Sequence, residues 1–328
     1  MSTTGAEVGE SSGWQARLAE FELRNAIVYL AFFAILLFFS LVLRGQGFLT
    51  TSNLVNIIRQ TAPVTMMAVG MAFTLSAGEI DLSIGSTVAL SALVAAVVLR
   101  DWGFLPGVAA GMAVGLLVGL TNGLLTVKIR IPSFLVTLGT LGIVSGLART
   151  LTDLQSVPVR HPTFVTIFGG GSLGPVSTLV LWTVVAMVIG HLTLQNLRFG
   201  RHVLATGGQR QAAKYVGINT DRIRIAVLVI SAASASLAGL LYTGRLAGAR
   251  YTLGEADLLT VIAAVIIGGT SLFGGRGSVI GAVVGSIIMG MLNNGLILMG
   301  LDVAEQMIAR GVIIILAVAL SLREPQNT

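Results

Sequence analysis

Apolar residues dominate this chain in long continuous stretches, broken by short polar or glycine-rich segments. Ten such stretches stand out, at residues 26–43, 54–75, 82–99, 105–127, 133–151, 176–194, 225–243, 258–268, 279–299 and 306–322. A run of about twenty apolar residues crosses the hydrocarbon core of a bilayer as an α-helix. A transmembrane barrel would instead show short strands of alternating polarity. The pattern therefore predicts an all-α polytopic membrane protein with ten spans. The eighth run is the short one, and the glycine-rich segment GGTSLFGGRGS (268–278) comes directly after it. Residues 1–25 read as a polar cytoplasmic tail, 26–322 as one transmembrane domain, and 323–328 as a second tail.

The longest charged interruption is LRFGRHVLATGGQRQAAKYVGINTDRIR (197–224), with Arg198, Arg201, Arg210, Lys214, Arg222 and Arg224. Such a segment cannot lie in hydrocarbon, and its basic excess places it on the cytoplasmic side. Within it, residues 209–216 (QRQAAKYV) predict a two-turn helix stopped by Gly207-Gly208 and by Gly217. A helix this short is marginal alone in water, so it needs a partner surface. Gly208, Gln209, Arg210, Ala212, Ala213, Lys214, Tyr215 and Gly217 are its candidate contact residues. The two alanines permit close approach, Tyr215 offers area, and Arg210 and Lys214 share a face suited to acidic groups.

With the N-terminus inside, the expected cytoplasmic segments hold Arg17, Arg24, Lys128, Arg130, the six cations above, Arg276 and Arg323, twelve in all. The outer loops hold Arg44, Arg100, Arg160, Arg245 and Arg250, five in all. This asymmetry favours both termini in the cytoplasm.

The chain also repeats itself. GEIDL (78–82) and GEADL (254–258) each precede an apolar run. Gly111 and Gly115 precede TNG (121–123), as Gly281 and Gly285 precede NNG (293–295). Spans two to five thus correspond to spans seven to ten. Equivalent spans lie five apart, so the copies are inverted, an arrangement found in transporters. Asp81 and Asp257 are expected to cap the helix starts beside them, where a carboxylate suits the positive dipole end. Gln60, Asn122, Asn293 and Asn294 are amides inside spans. They serve either a hydroxyl-bearing solute in a pathway or the bonding of one helix to another.

Composition narrows the chemistry. Only 10% of residues are charged and cysteine is absent, which excludes disulfides and thiolate metal sites. The net charge of +6 concerns topology rather than nucleic acid. GGTSLFGGRGS is no P-loop, because the motif needs a lysine and the chain's lysines are Lys128 and Lys214. No metal-protease helix, nucleophile elbow or paired catalytic carboxylates occur, so the chain reads as a non-enzyme without cofactor or metal.

Three segments carry a resemblance. GEIDLSIGSTVALSALVAA (78–96), LATGGQRQAAKYVGI (204–218) and VIAAVIIGGTSLFGGRGSVIGAVVGSIIMGMLNNGL (261–296) resemble permease subunits of bacterial ABC importers for monosaccharides, the ribose/xylose/arabinose group. The resemblance covers residues 25–322. It implies an inner-membrane permease dimer, of two identical or two different chains, with cytoplasmic ATPase subunits and a periplasmic sugar-binding protein. It also gives the short helix the task of docking the ATPase. Many of the resembling permeases carry glycine where this chain has Glu79. A branched-chain amino-acid permease and an ion-coupled secondary transporter are the alternatives. The acidic residues fall at span ends and in loops, which favours the ATP-driven class over the ion-coupled one.

Overall fold

The computed structural model describes residues 28–322. The expected tails, with Arg17, Arg24 and Arg323, lie outside the described residues. The helices are α1 (Val28–Val42), α2 (Thr51–Ser76), α3 (Ile84–Trp102), α4 (Phe104–Leu124) and α5 (Ser133–Leu151). Then come α6 (Pro162–Val165), α7 (Thr178–His191), α8 (Arg198–Gly208) and α9 (Arg210–Tyr215). The second half holds α10 (Thr220–Leu246), α11 (Asp257–Ile267), α12 (Val279–Leu298) and α13 (Val303–Leu322). Side-chain caps open three of the long helices. Thr50 accepts from the Asn53 amide, Asn219 from the Arg222 amide at 3.0 Å, and Ser278 from the Gly281 amide at 3.0 Å.

The protein is an all-α polytopic membrane protein. Among the described residues, six helices are long and apolar enough to cross a membrane. They are α3, α5, α10, α12, and α4 and α7 with the π-helical turns that extend them to Ile129 and Asn196. The other four expected spans are also helical. The described part of α1 and all of α11 are apolar and short. At 1.5 Å per residue, α11 is about 16 Å long, roughly half the hydrocarbon thickness. α2 and α13 have 26 and 20 residues, with Arg59 and Gln60 in α2 and Glu305 and Arg310 in α13.

Helix packing repeats across the two halves. α2 packs on α12 as α10 packs on α4, and α3 on α4 as α11 on α12. Likewise α10 packs on α3 as α2 does on α11, and α5 on α3 as α13 does on α11. The glycine rows form these contacts. An added Cβ at Gly111 would sit 2.9 Å from Ala95 Cβ and 3.0 Å from Leu240 Cδ2, and one at Gly285 would strike the Ala264 carbonyl. In lipid, where apolar burial drives no association, such close backbone approach supplies the attraction.

The connecting segments gather at two opposite ends. At one end lie residues 77–83, 126–134, 207–225 and 269–278, which touch one another. At the other, Phe104 meets His161 and Phe168, and strand β1 (Val157–Pro158) pairs with β4 (Gly248–Ala249). The hairpin β2 (Ser172–Leu173) and β3 (Val176–Ser177) lies in the same loop as β1. Loop 247–256 does not stay at its end. Gly254, at φ +79°, lies so close to α3 that an added Cβ would be 2.7 Å from Val88 Cβ.

Candidate functional site

Two regions hold the residues singled out by their chemistry. The first is the basic segment. It is not one loop around one short helix, because residues 198–208 form α8. Gly207 and Gly208 are the last residues of that helix, and the break before α9 falls on Gln209, extended at φ −150°. The second stop is a glycine one. Gly217 adopts φ +86°, with its amide on the Lys214 carbonyl and the Ile218 amide on the Ala213 carbonyl, both at 3.0 Å.

Gly207 stays helical because something presses against it. The Ser76 carbonyl at the end of α2 accepts from the Gly275 amide at 3.0 Å. A Cβ on Gly207 would strike that carbonyl and come within 2.6 Å of the Gly275 nitrogen. Gly274 and Gly275 approach from the other side at φ +89° and +79°. The glycine-rich segment 268–278 is therefore the floor on which the end of α8 rests.

The exposed face of α9 differs from expectation. Tyr215 and Val216 are 86% and 77% exposed and Ala212 is exposed, but Ala213 is buried at 4%. Ala213 faces inward because successive helical residues point 100° apart. Arg210 does not face an outside partner, as its spacing from Lys214 suggests it should. Its Nη2 instead donates to Glu79 Oε1 at 2.7 Å. The same carboxylate oxygen accepts from Arg224 Nε, and Glu79 is only 2% exposed. Glu79 thus has two cationic partners, which the sequence did not reveal since they lie 131 and 145 residues away. Lys214 sits 3.8 Å from Asp221, both well exposed, a pairing of little energetic weight. Beside this module lies an open cavity of about 1030 Å³, lined among others by Lys128, Arg130, Arg222 and Arg224.

Residues 79–83 are held at every position. The Ile80 amide donates to Ser133 Oγ at 3.1 Å and the Leu82 amide to Thr137 Oγ1 at 3.0 Å, both on α5. Asp81 Oδ2 accepts from Ser231 Oγ on α10 at 2.7 Å. Its Oδ1 accepts from the Ser83 amide at 3.0 Å and the Ser83 hydroxyl at 2.6 Å. Ser83 Oγ accepts from Asn122 Nδ2 at 2.9 Å, and Asn122 Oδ1 from Thr140 Oγ1 at 2.7 Å. This buried chain joins α10, the loop, α4 and α5. Asp81 precedes the helix start, and the residue at the α3 cap is Ser83, whose side chain caps nothing. Asn122 is fully buried and bonds helices together.

The second region surrounds Asp257. Asp257 is the first residue of α11, yet its carboxylate caps no amide there. Oδ2 instead accepts from the Tyr242 hydroxyl at 2.6 Å. The capping expectation fails because the carboxylate is taken up by the Tyr242 hydroxyl of α10. A cavity of about 200 Å³ opens here, lined by Gln60, Tyr242, Arg245, Asp257, Asn293 and Arg310 among others. Asn293 Oδ1 and Arg310 Nε are buried there without a hydrogen-bond partner. Asn294, next to Asn293, turns away and exchanges two hydrogen bonds with Asn53, at 2.9 and 3.0 Å. Of the four candidate amides, Gln60 and Asn293 reach the cavity, whereas Asn122 and Asn294 bond helices. By sequence Arg245 falls in a loop and Arg310 near a span end, and the fold brings both to this cavity.

Comparison with known proteins matches residues 53–318 to the family described as "Branched-chain amino acid transport system / permease component". The Ribose import permease protein RbsC of Escherichia coli (strain K12) is 36% identical over 279 residues, covering 84% of this chain and 87% of its own. RbsC of Bacillus subtilis (strain 168) is 36% identical over 298 residues, covering 90% and 92%. The D-allose transport system permease protein AlsC of Escherichia coli (strain K12) is 34% identical over 280 residues, covering 85% and 86%. With its helical membrane architecture and a family match over most of its length, the chain belongs to this permease family.

Proposed function

We propose that this chain is the membrane-spanning subunit of an ATP-driven importer that carries a monosaccharide across the bacterial inner membrane. The observation that carries this reading is the near full-length similarity to permeases named for ribose and allose. Those names favour a sugar over the branched-chain amino acid of the family description. The chain itself is the pathway, with ATP hydrolysed by separate cytoplasmic subunits and sugar delivered by a binding protein. Two copies of the chain form the permease pair.

Ten spans with both termini inside agree with the gathering of connecting segments at alternate ends and with the basic count. The two halves act as inverted repeats, supported by their matched helix pairings. The half-length α11 and the loop dipping toward α3 supply the broken helix around which such repeats rock. Gln60 and Asn293 would meet sugar hydroxyls in the cavity beside Asp257. An ion-coupled carrier needs a carboxylate free to trade its cation, whereas Asp257 is bonded to Tyr242 between Arg245 and Arg310.

The exposed face of α9, with Ala212, Tyr215 and Val216, is the ATPase-docking surface, and Gly208, Gln209 and Gly217 frame it. A single solvated turn gains nothing from exposing two large apolar side chains, and exposed apolar surface of this kind marks a contact site. Ala212→Glu combined with Tyr215→Ala is expected to leave the permease inserted while the ATPase subunits no longer co-purify and uptake into vesicles stops. Unchanged ATPase retention and uptake in that variant would refute the docking role.

A further inference from the structure

We propose that Glu79 is a positioning residue that ties the movement of α9 to the membrane helices. This rests on the importer reading above and deepens it. One carboxylate oxygen holds Arg210, the first residue of α9, and Arg224, the fifth residue of α10. Glu79 is 2% exposed, the Arg224 side chain 12% and the Arg210 side chain 40%. Drawing Arg210 away would leave the buried carboxylate on Arg224 alone, and a buried charge short of a partner is unfavourable. The carboxylate therefore follows Arg210 when α9 is displaced.

The next four residues carry that movement onward. Ile80 and Leu82 are bonded to α5, Asp81 to α10, and Ser83 to Asn122 of α4. A displacement of α9 reaches Glu79 through Arg210 and passes along this segment to α3, α4, α5 and α10. The other polar tie of α9, between Lys214 and Asp221, is long and exposed and transmits little. Arg224 and Ser231, both on α10, take the displacement from Glu79 and Asp81 into that helix.

The test uses the permease assembled with its ATPase subunits and binding protein in proteoliposomes, scored as sugar moved per ATP hydrolysed. Glu79→Gln and Arg210→Gln are each expected to lower that ratio at least five-fold while ATPase subunits remain bound. The double variant should be no worse than the poorer single one, because both changes remove the same bond. Additive losses overturn the proposal, as does an unchanged ratio with only a lower melting temperature. Should Glu79→Gln fail to assemble, Glu79→Gly with Arg210→Gln removes charge and partner together. The low ratio is expected there too, and a wild-type ratio counts against the link. A second readout needs no knowledge of the solute. The chain has no cysteine, so a fluorophore on Leu135→Cys of exposed α5 should report a nucleotide-dependent change that Glu79→Gln abolishes. Persistence of that change refutes the link, whereas a wild-type complex with the change but no sugar uptake refutes only the sugar assignment.

Discussion

Gly207 and Gly208 are adjacent, both end α8, and should differ sharply when changed to alanine. A methyl on Gly207 would be driven into the Ser76 carbonyl and within 2.6 Å of the Gly275 nitrogen. Those two atoms are hydrogen-bonded to each other at 3.0 Å. Both are backbone, so neither can swing away as a side chain would. Overpacking of this kind costs about 1–3 kcal/mol, and loss of the hydrogen bond adds about 0.5–1.5 kcal/mol. The sum, roughly 1.5–4.5 kcal/mol, lowers the population of the correctly seated segment by a factor of about 10 to 2000. A methyl on Gly208 would meet its nearest neighbour, Gly275 Cα, at 3.7 Å, an ordinary contact. Thermal melting of the purified permease and uptake with its ATPase partner, measured on both variants, are the assays. Gly207→Ala should melt lower and transport poorly, and Gly208→Ala should resemble wild type. Equal behaviour of the two variants would refute the seating of α8 on the 268–278 segment.

Three further outcomes are expected. Asn122→Leu removes both neighbours' bonds in the chain from Ser83 to Thr140 and should destabilise the fold by about 1–3 kcal/mol; an unchanged melting curve contradicts the network's structural role. Asn293→Leu should cut sugar uptake with little change in melting, and Asn294→Leu should do the reverse because it severs the pair with Asn53. The same phenotype from both would sink the cavity assignment. Tags fused before Met1 and after Thr328 should both report from the cytoplasm, and a periplasmic signal from either one breaks the ten-span topology.

Local composition determined a great deal about this protein. The long apolar runs predicted the six helices able to cross a membrane to within about five residues, because in lipid a segment's own backbone bonds and hydrophobicity decide its structure. Glycines four apart, at 111 and 115 and at 281 and 285, suit the close helix packing found there. The paired GExDL motifs pointed to two matched halves, which the helix pairings reproduce. Tertiary structure decided which polar residue meets which. Nothing near Glu79 in the chain announces Arg210 and Arg224, and nothing separates Asn293 from Asn294 or Ala212 from Ala213 except the direction each side chain takes on its helix. Helix α8 was hidden because its charges read as loop, and its two glycines end it only where the 268–278 segment packs against them. Asp81 and Asp257 share a motif yet bond different hydroxyls of α10, those of Ser231 and Tyr242, which lie three turns apart on that helix. Composition fixes what can lie in a bilayer, while the selection among buried hydrogen-bond partners depends on distances that only the packed helices create.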